Sequence, residues 1–276
     1  MNILAENILL GFFQKEEKAQ IYQFMAKKLQ ECDLANDEEL QVASTLIQTA
    51  FSQILLAQIY THLVQEELEM QKDLIQASLR LILSQQPPIS PLTSNCELVT
   101  NLMNYINRII NLNAHALNLQ DPALFFREWF AKSEVLVSQD SRRLAVLAVY
   151  QILPLMTSDQ IMAYFTQIGK LSFASIRQFL VQKLEGNDAR FYSPTKLQQQ
   201  GKKEKMKQLE GKSLRIQDLK ANDPYIRVDL VDHFTENLRK TQQVLNLASL
   251  ADFKQAIQDP VIQEIFSEIL QVLGQN

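Results

Sequence analysis

Between Gly11 and Pro87 the chain contains neither glycine nor proline. Those two residues are the usual means of ending a helix or turning a strand, so their absence over so long a stretch commits it to long helices. The whole chain of 276 residues has only 6 glycines and 8 prolines, too few for the frequent turns of a strand-rich fold. The expected class is all-α, a multi-helix bundle.

Inside the Gly/Pro-free stretch the one natural break is "CDLANDEEL" (32–40), where Asp33, Asn36 and Asp37 are N-capping types. From Asp37 to Ser84, Leu40, Ala43, Ile47, Ala50, Ile54, Ile59 and Leu63 share a helical stripe that Met70, Leu74, Ala77 and Leu81 extend. One rod over this span would measure roughly 70 Å. The polar run "QEELEMQKD" (65–73) is where two helices would bend instead. Such a stripe packs within the chain or against a second copy, so homo-oligomerisation stays open.

"SQQPPISPLTSN" (84–95) holds three prolines and marks the clearest boundary. Beyond it helices are expected at about 96–118, 121–137, 140–153, 158–168 and 172–185, starting near Asn95, Asp121, Asp140, Ser158 and Ser172. The expected organisation is an N-terminal long-helix region (1–86), a central helical region (95–185), a basic segment (186–224) and C-terminal helices (225–276), with 95–276 as one domain. Residues 223–273 should form three helical segments.

Three Asp-Pro pairs stand before amphipathic runs: "QDPALFFREWF" (120–130), "NDPYIRVDLVDHF" (222–234) and "QDPVIQEIFSEIL" (258–270). Asp can cap free N–H groups, and proline at the first helical position sacrifices no hydrogen bond. The last two runs resemble the second helix of a HEAT repeat, and "DSRRLAVLAVYQIL" and "SIRQFLVQKL" are similar without the proline. Aligning Arg143, Arg177, Arg227 and Gln263 gives spacings of 34, 50 and 36, against roughly 40–47 in HEAT units. The resemblance spans 121–273 and implies stacked helix pairs in the C-terminal half. A non-repeating bundle is the competing arrangement.

Formal net charge is −4, which argues against the protein as a whole being an electrostatic nucleic-acid binder. The charge is unevenly spread: from Arg190 to Lys220 nine basic residues face three acidic ones, a local net of +6. Lys202, Lys203, Lys205 and Lys207 in "KKEKMK" are its candidate contacts to phosphate, on nucleic acid or an anionic membrane. No aromatic residue interrupts that run, so base stacking finds no support.

Two cysteines, Cys32 and Cys96, are too few for a disulfide framework and suit a reducing, cytoplasmic setting. "MNILAENILLGFF" is apolar but carries Glu6 and no basic leader, and reads as a helix rather than a signal peptide. No run of about 18 consecutive apolar residues occurs, so no spanning helix is expected.

The chemistry-bearing motifs are missing. The histidines are His62, His115 and His233, with no Glu-x-x-His, His-x-x-x-His or Cys-x-x-Cys. "EGKS" (210–213) ends like a phosphate loop, but Met206 stands where its first glycine is required. His62 with Glu66, and Asp229 with His233 and Glu236, are spaced to share helix faces. The first would be half a metal site, the second a carboxylate-oriented base; a hydrogen-bonded histidine and a mixed-charge face are the simpler readings of each. Cys32 lies between Glu31 and Asp33, which disfavours a thiolate. No catalytic, cofactor or metal residue is assigned. Phe125, Phe126, Trp129 and Phe130 cover more than one side of a helix, either as a partner-binding anchor or as a helix buried among others. The expected function is a non-enzymatic adaptor or scaffold binding another protein. Polyanion binding through 190–220 is the alternative, and an enzyme with an all-α site the third reading.

Overall fold

The computed structural model describes residues 13–61, 63–84, 94–134, 136, 138–184, 222–247 and 249–274, and contains no strand among them. Ten α-helices are described: α1 (Lys15–Gln30), α2 (Asp37–Leu56), α3 (Val64–Met70), α4 (Lys72–Leu83), α5 (Ser94–Asn113), α6 (Pro122–Ser133), α7 (Gln139–Ile152), α8 (Ser158–Leu184), α9 (Leu230–Val244) and α10 (Pro260–Val272). The expectations for 1–12, His62 and the basic segment 186–221, Lys202, Lys203, Lys205 and Lys207 included, lie outside the described residues.

The helix ends follow capping chemistry. Asn36 caps α2 by accepting from the Glu38 N–H, Asp121 caps α6, and Asp259 caps α10 ahead of Pro260. Three expected starts shift. Ser138, not Asp140, caps α7. Ser172 lies inside α8, where its hydroxyl bonds the Ile168 carbonyl, because α8 does not stop near Gly169. The third is "NDPYIRVDL": Asp223 caps only a four-residue 3-10 turn, Pro224–Arg227, and α9 starts afresh at Leu230 with Asp229 as its cap. An N-capping aspartate six residues on resets the chain before the first turn can grow.

The 37–84 stripe is not one rod. After α2 comes a π-helical turn, Ala57–Thr61, and the chain then doubles back, so that Gln71 reaches the Ala50 carbonyl at 3.4 Å. Asp37–Tyr60 is the one helix, among the described residues, long and apolar enough to cross a membrane; 56% of its apolar window is buried in the bundle, where it packs mainly on α5.

One buried cluster runs from Tyr22 to Leu270 and includes side chains on both sides of the proline-rich segment. α1 lies on α4, α5 bridges α2 and α7, α9 packs on α7 and α8, and α10 lies along α8. Gly169 explains that last approach. A Cβ there would run into Ile262 Cγ2 and lie 2.8 Å from the Phe173 ring, so glycine at mid-helix lets α10 close on α8.

Candidate functional site

Phe125, Phe126 and Trp129 are fully buried and Phe130 is 5% exposed. Their rings interlock with one another and with Tyr164, and Trp129 donates its indole N–H to Asn107 Oδ1 at 2.9 Å. The partner-anchor reading of these four residues therefore has no exposed ring to carry it, and the alternative, a buried helix face, is what the structure has. The four rings form one broad face of α6 that meets the core, while Ala123, Arg127 and Ala131 on its opposite side are exposed.

Nor does the alternative acid–base face form. Asp229 is an N-cap, accepting from the Val231 and Asp232 N–H groups, so it sits outside the helix that carries His233. Glu236 pairs with Lys240 at 2.6 Å. The His233 ring packs edge-on to Tyr150, with Nε2 3.4 Å from the Leu147 carbonyl. Burial lowers its pKa, and the Leu147 carbonyl and Glu236 work against that shift. Glu66 pairs with Lys15 at 2.8 Å. Burial pushes the Cys32 thiol up, aided by Glu39 and Asp33. No group of three or more histidine, cysteine, aspartate or glutamate side chains arranged for a metal occurs among the described residues.

What the fold does assemble is a pair of arginines gripping a strap. Arg108, on α5, is 1% exposed and meets both carboxylate oxygens of Asp223, one at 2.7 Å. Gln58 accepts from the same guanidinium at 3.0 Å, and the rings of Phe51 and Tyr225 lie 5.2 and 4.7 Å from its Cζ. Arg143, on α7, donates to the backbone carbonyls of Tyr225, at 2.9 Å, and Val228, and stacks 4.9 Å over Phe179. Burial lowers the Arg143 pKa against the pull of Asp229, Asp223 and Asp140. The Tyr225 hydroxyl is pushed up to about 12 by burial, with Arg108 opposing. The 3-10 turn capped by Asp223 is thereby presented with its carboxylate, ring and carbonyls all engaged.

A second feature is on the surface. Val261, Ile265, Glu268 and Val272 fall on one stripe of α10, at helical spacing. Val261 is 61% and Val272 48% exposed, and Ile265 is half-buried. α8 and α10 run parallel, since Lys170 lies 3.9 Å from Asp259 and Arg177 lies 2.7 Å from Glu268. One turn beyond that second pair come Val181, 46% exposed, and Val272, at the shared end of the two helices. The sequence carried the signal: α10 holds more apolar residues than one face can bury, and the inward stripe (Phe266, Ile269, Leu270) leaves this outer one over.

A cavity of about 150 Å³ opens between α6, α7 and α8, lined among others by Ser133, Glu134, Arg142, Gln167 and Lys170. It is smaller than the roughly 300–1,000 Å³ of drug-sized ligand sites. No protein-family model, curated protein or solved structure matches this chain.

Proposed function

We propose that this chain is a non-enzymatic helical scaffold whose outer α8–α10 face binds another protein. The observation that carries the reading is the exposed pair Val261 and Val272 on α10, linked by the half-buried Ile265 and continued by Val181 on α8. Burying a valine contributes about 1.5–3 kcal/mol relative to leaving it in water, which makes such a strip a natural place for a partner helix. Glu268 and Arg177 interrupt it with charge and would give the contact its register. Stacked HEAT-like pairs over 121–273 are the finer architecture in this proposal, supported by the side-by-side packing of the consecutive helices α7 and α8. A cytoplasmic setting belongs to the same proposal, supported by two free cysteines.

The test compares tagged wild-type chain with the double variant V261D/V272D, both checked for unchanged circular dichroism and melting. Cross-linking in the native cell should tie a partner to α10 of the wild type and lose it in the variant. Identical cross-links in both would refute the face, and a cross-link between two copies would identify the partner as this same chain.

The basic run at 190–220 supports a second reading, polyanion binding, through the segregation of nine basic from three acidic residues there. It predicts binding to RNA, DNA or anionic vesicles that weakens steeply with salt and disappears when Lys202, Lys203, Lys205 and Lys207 are changed to Glu.

A further inference from the structure

The arginine grip has the layout of a receptor already holding its ligand. Its receptor half belongs to the bundle: Phe51 and Gln58 come from α2 and its π turn, Arg108 from α5 and Arg143 from α7. Its ligand half is the strap 222–229, built around the 3-10 turn Pro224–Arg227, with Pro224 exposed and Asp223 and Tyr225 half-buried. The turn holds its own shape, because the Tyr225 N–H donates to Asp223 Oδ1 at 3.0 Å. What ties it to the bundle includes the two-oxygen contact to Arg108, the Gln58–Tyr225 hydrogen bond and the carbonyls bonded by Arg143.

A guanidinium at 1% exposure demands an anion. Without Asp223, Arg108 would keep a neutral amide and an aromatic face, and its Nε has no hydrogen-bond partner even with the strap in place. Guanidinium forks match carboxylates in plane and spacing, and a ring over the guanidinium adds cation–π attraction. The strap therefore spells out the chemistry that the site accepts: a carboxylate, a proline-fixed turn, an aromatic ring two residues on, and two outward carbonyls.

We propose that Arg108 and Arg143 form a recognition site for an acidic peptide turn of the Asp-Pro-aromatic type, which the strap fills in cis as a displaceable intramolecular ligand. The site is separate from the α8–α10 face and stands or falls independently of it. A tethered ligand has an effective concentration on the order of millimolar, so a peptide in trans binds only once the strap is weakened or outcompeted.

The experiment uses the full chain and a fluorescein-labelled peptide carrying residues 220–231 as the probe, read by anisotropy. The D223N chain keeps the shape of the strap and removes its charge. It should bind the peptide about tenfold or more tighter than wild type does, and a peptide carrying the same D223N change should lose that gain. The Y225A chain, which loosens the strap by another route, should show the same gain and decides the matter if D223N fails to fold. Equal binding to wild-type and variant chains, no binding to any of them, or indifference to the peptide's carboxylate would overturn the proposal. So would displacement of the peptide by millimolar inorganic phosphate, which would assign the site to small anions. Peptide-induced dimers of the variant chains are not required; dimers formed without peptide would identify the natural ligand as a second copy's strap and overturn the cis assignment.

Discussion

The two ends of the bundle are held together by different kinds of core. Around α1 to α5 the interior is polar as well as apolar. Glu67, 4% exposed, accepts from Tyr22 and from Gln71 Nε2 at 2.8 Å, and Gln71 Oε1 accepts from Tyr105 at 2.7 Å. The buried side-chain polar atoms without a partner, among the described residues, are all on α2 and α5: Gln53 Nε2, Asn104 Oδ1, Asn107 Nδ2 and Arg108 Nε. Around α7 to α10 the interior is a stack of rings. Phe165 lies 4.6 Å from Phe253, Phe173 lies 4.9 Å from Phe266, and Phe234 joins Phe173 to Tyr150. Apolar packing adapts to small shifts, whereas a buried hydrogen-bond network works only in one register. The first region fixes which helix meets which; the second supplies bulk cohesion and frees the outer side of α10 for an apolar surface.

The contrast predicts an order of sensitivities. The largest loss should come from Phe266→Ala, which opens the ring stack and should cost about 3–5 kcal/mol in urea unfolding. A loss below ~1 kcal/mol would mean that the stack does not hold the C-terminal half. Tyr105→Phe removes one hydroxyl and strands Gln71 Oε1 in the polar core, for an expected loss of about 1–3 kcal/mol. If it proves neutral, the network is ornamental and the two cores are alike. A smaller effect is expected from His233. Its folded pKa lies below the unfolded 6.5 because of burial, so the unfolded chain takes up the proton first. This contribution is complete above that value and fades as the pH falls through it. H233Q should flatten that part of the stability profile, and an unchanged slope would show that the ring is open to solvent. Smallest is Arg177→Ala: the Arg177–Glu268 pair is about half exposed, so its loss should shift stability by at most ~1 kcal/mol.

The helix content and many of the ends could be read from residue types, because capping is local: Asp121-Pro122 and Asp259-Pro260 start helices as their chemistry requires. Asp223-Pro224 misled because the second cap, Asp229, competes for the same stretch, and the choice between them is settled by Arg108 and Arg143, far away in sequence. Gly169 falls in the gap expected between helices at 158–168 and 172–185, yet lies inside α8. It is a point of close approach, which only the position of Ile262 explains. Phe125, Phe126, Trp129 and Phe130 offered two readings because a broad aromatic face suits either burial or a surface anchor; their neighbours decide. On α10 the exposed Val261 and Val272 alternate with buried positions, so periodicity alone merged two stripes into one.

The strap also bears on the order of events in folding. Arg108 and Asp223 are separated by 115 residues, whereas Tyr105 and Gln71 are separated by 34. Closing the longer loop costs about 1 kcal/mol more chain entropy, so the grip is expected to form after the Gln71–Tyr105 contact is in place. An interaction made after the rate-limiting barrier slows unfolding without speeding folding. D223N should then raise the unfolding rate and leave the refolding rate unchanged; slowed refolding would instead put the grip inside the nucleus. On this order of assembly, Asp223 acts as a brake on opening, the last contact closed and the first released.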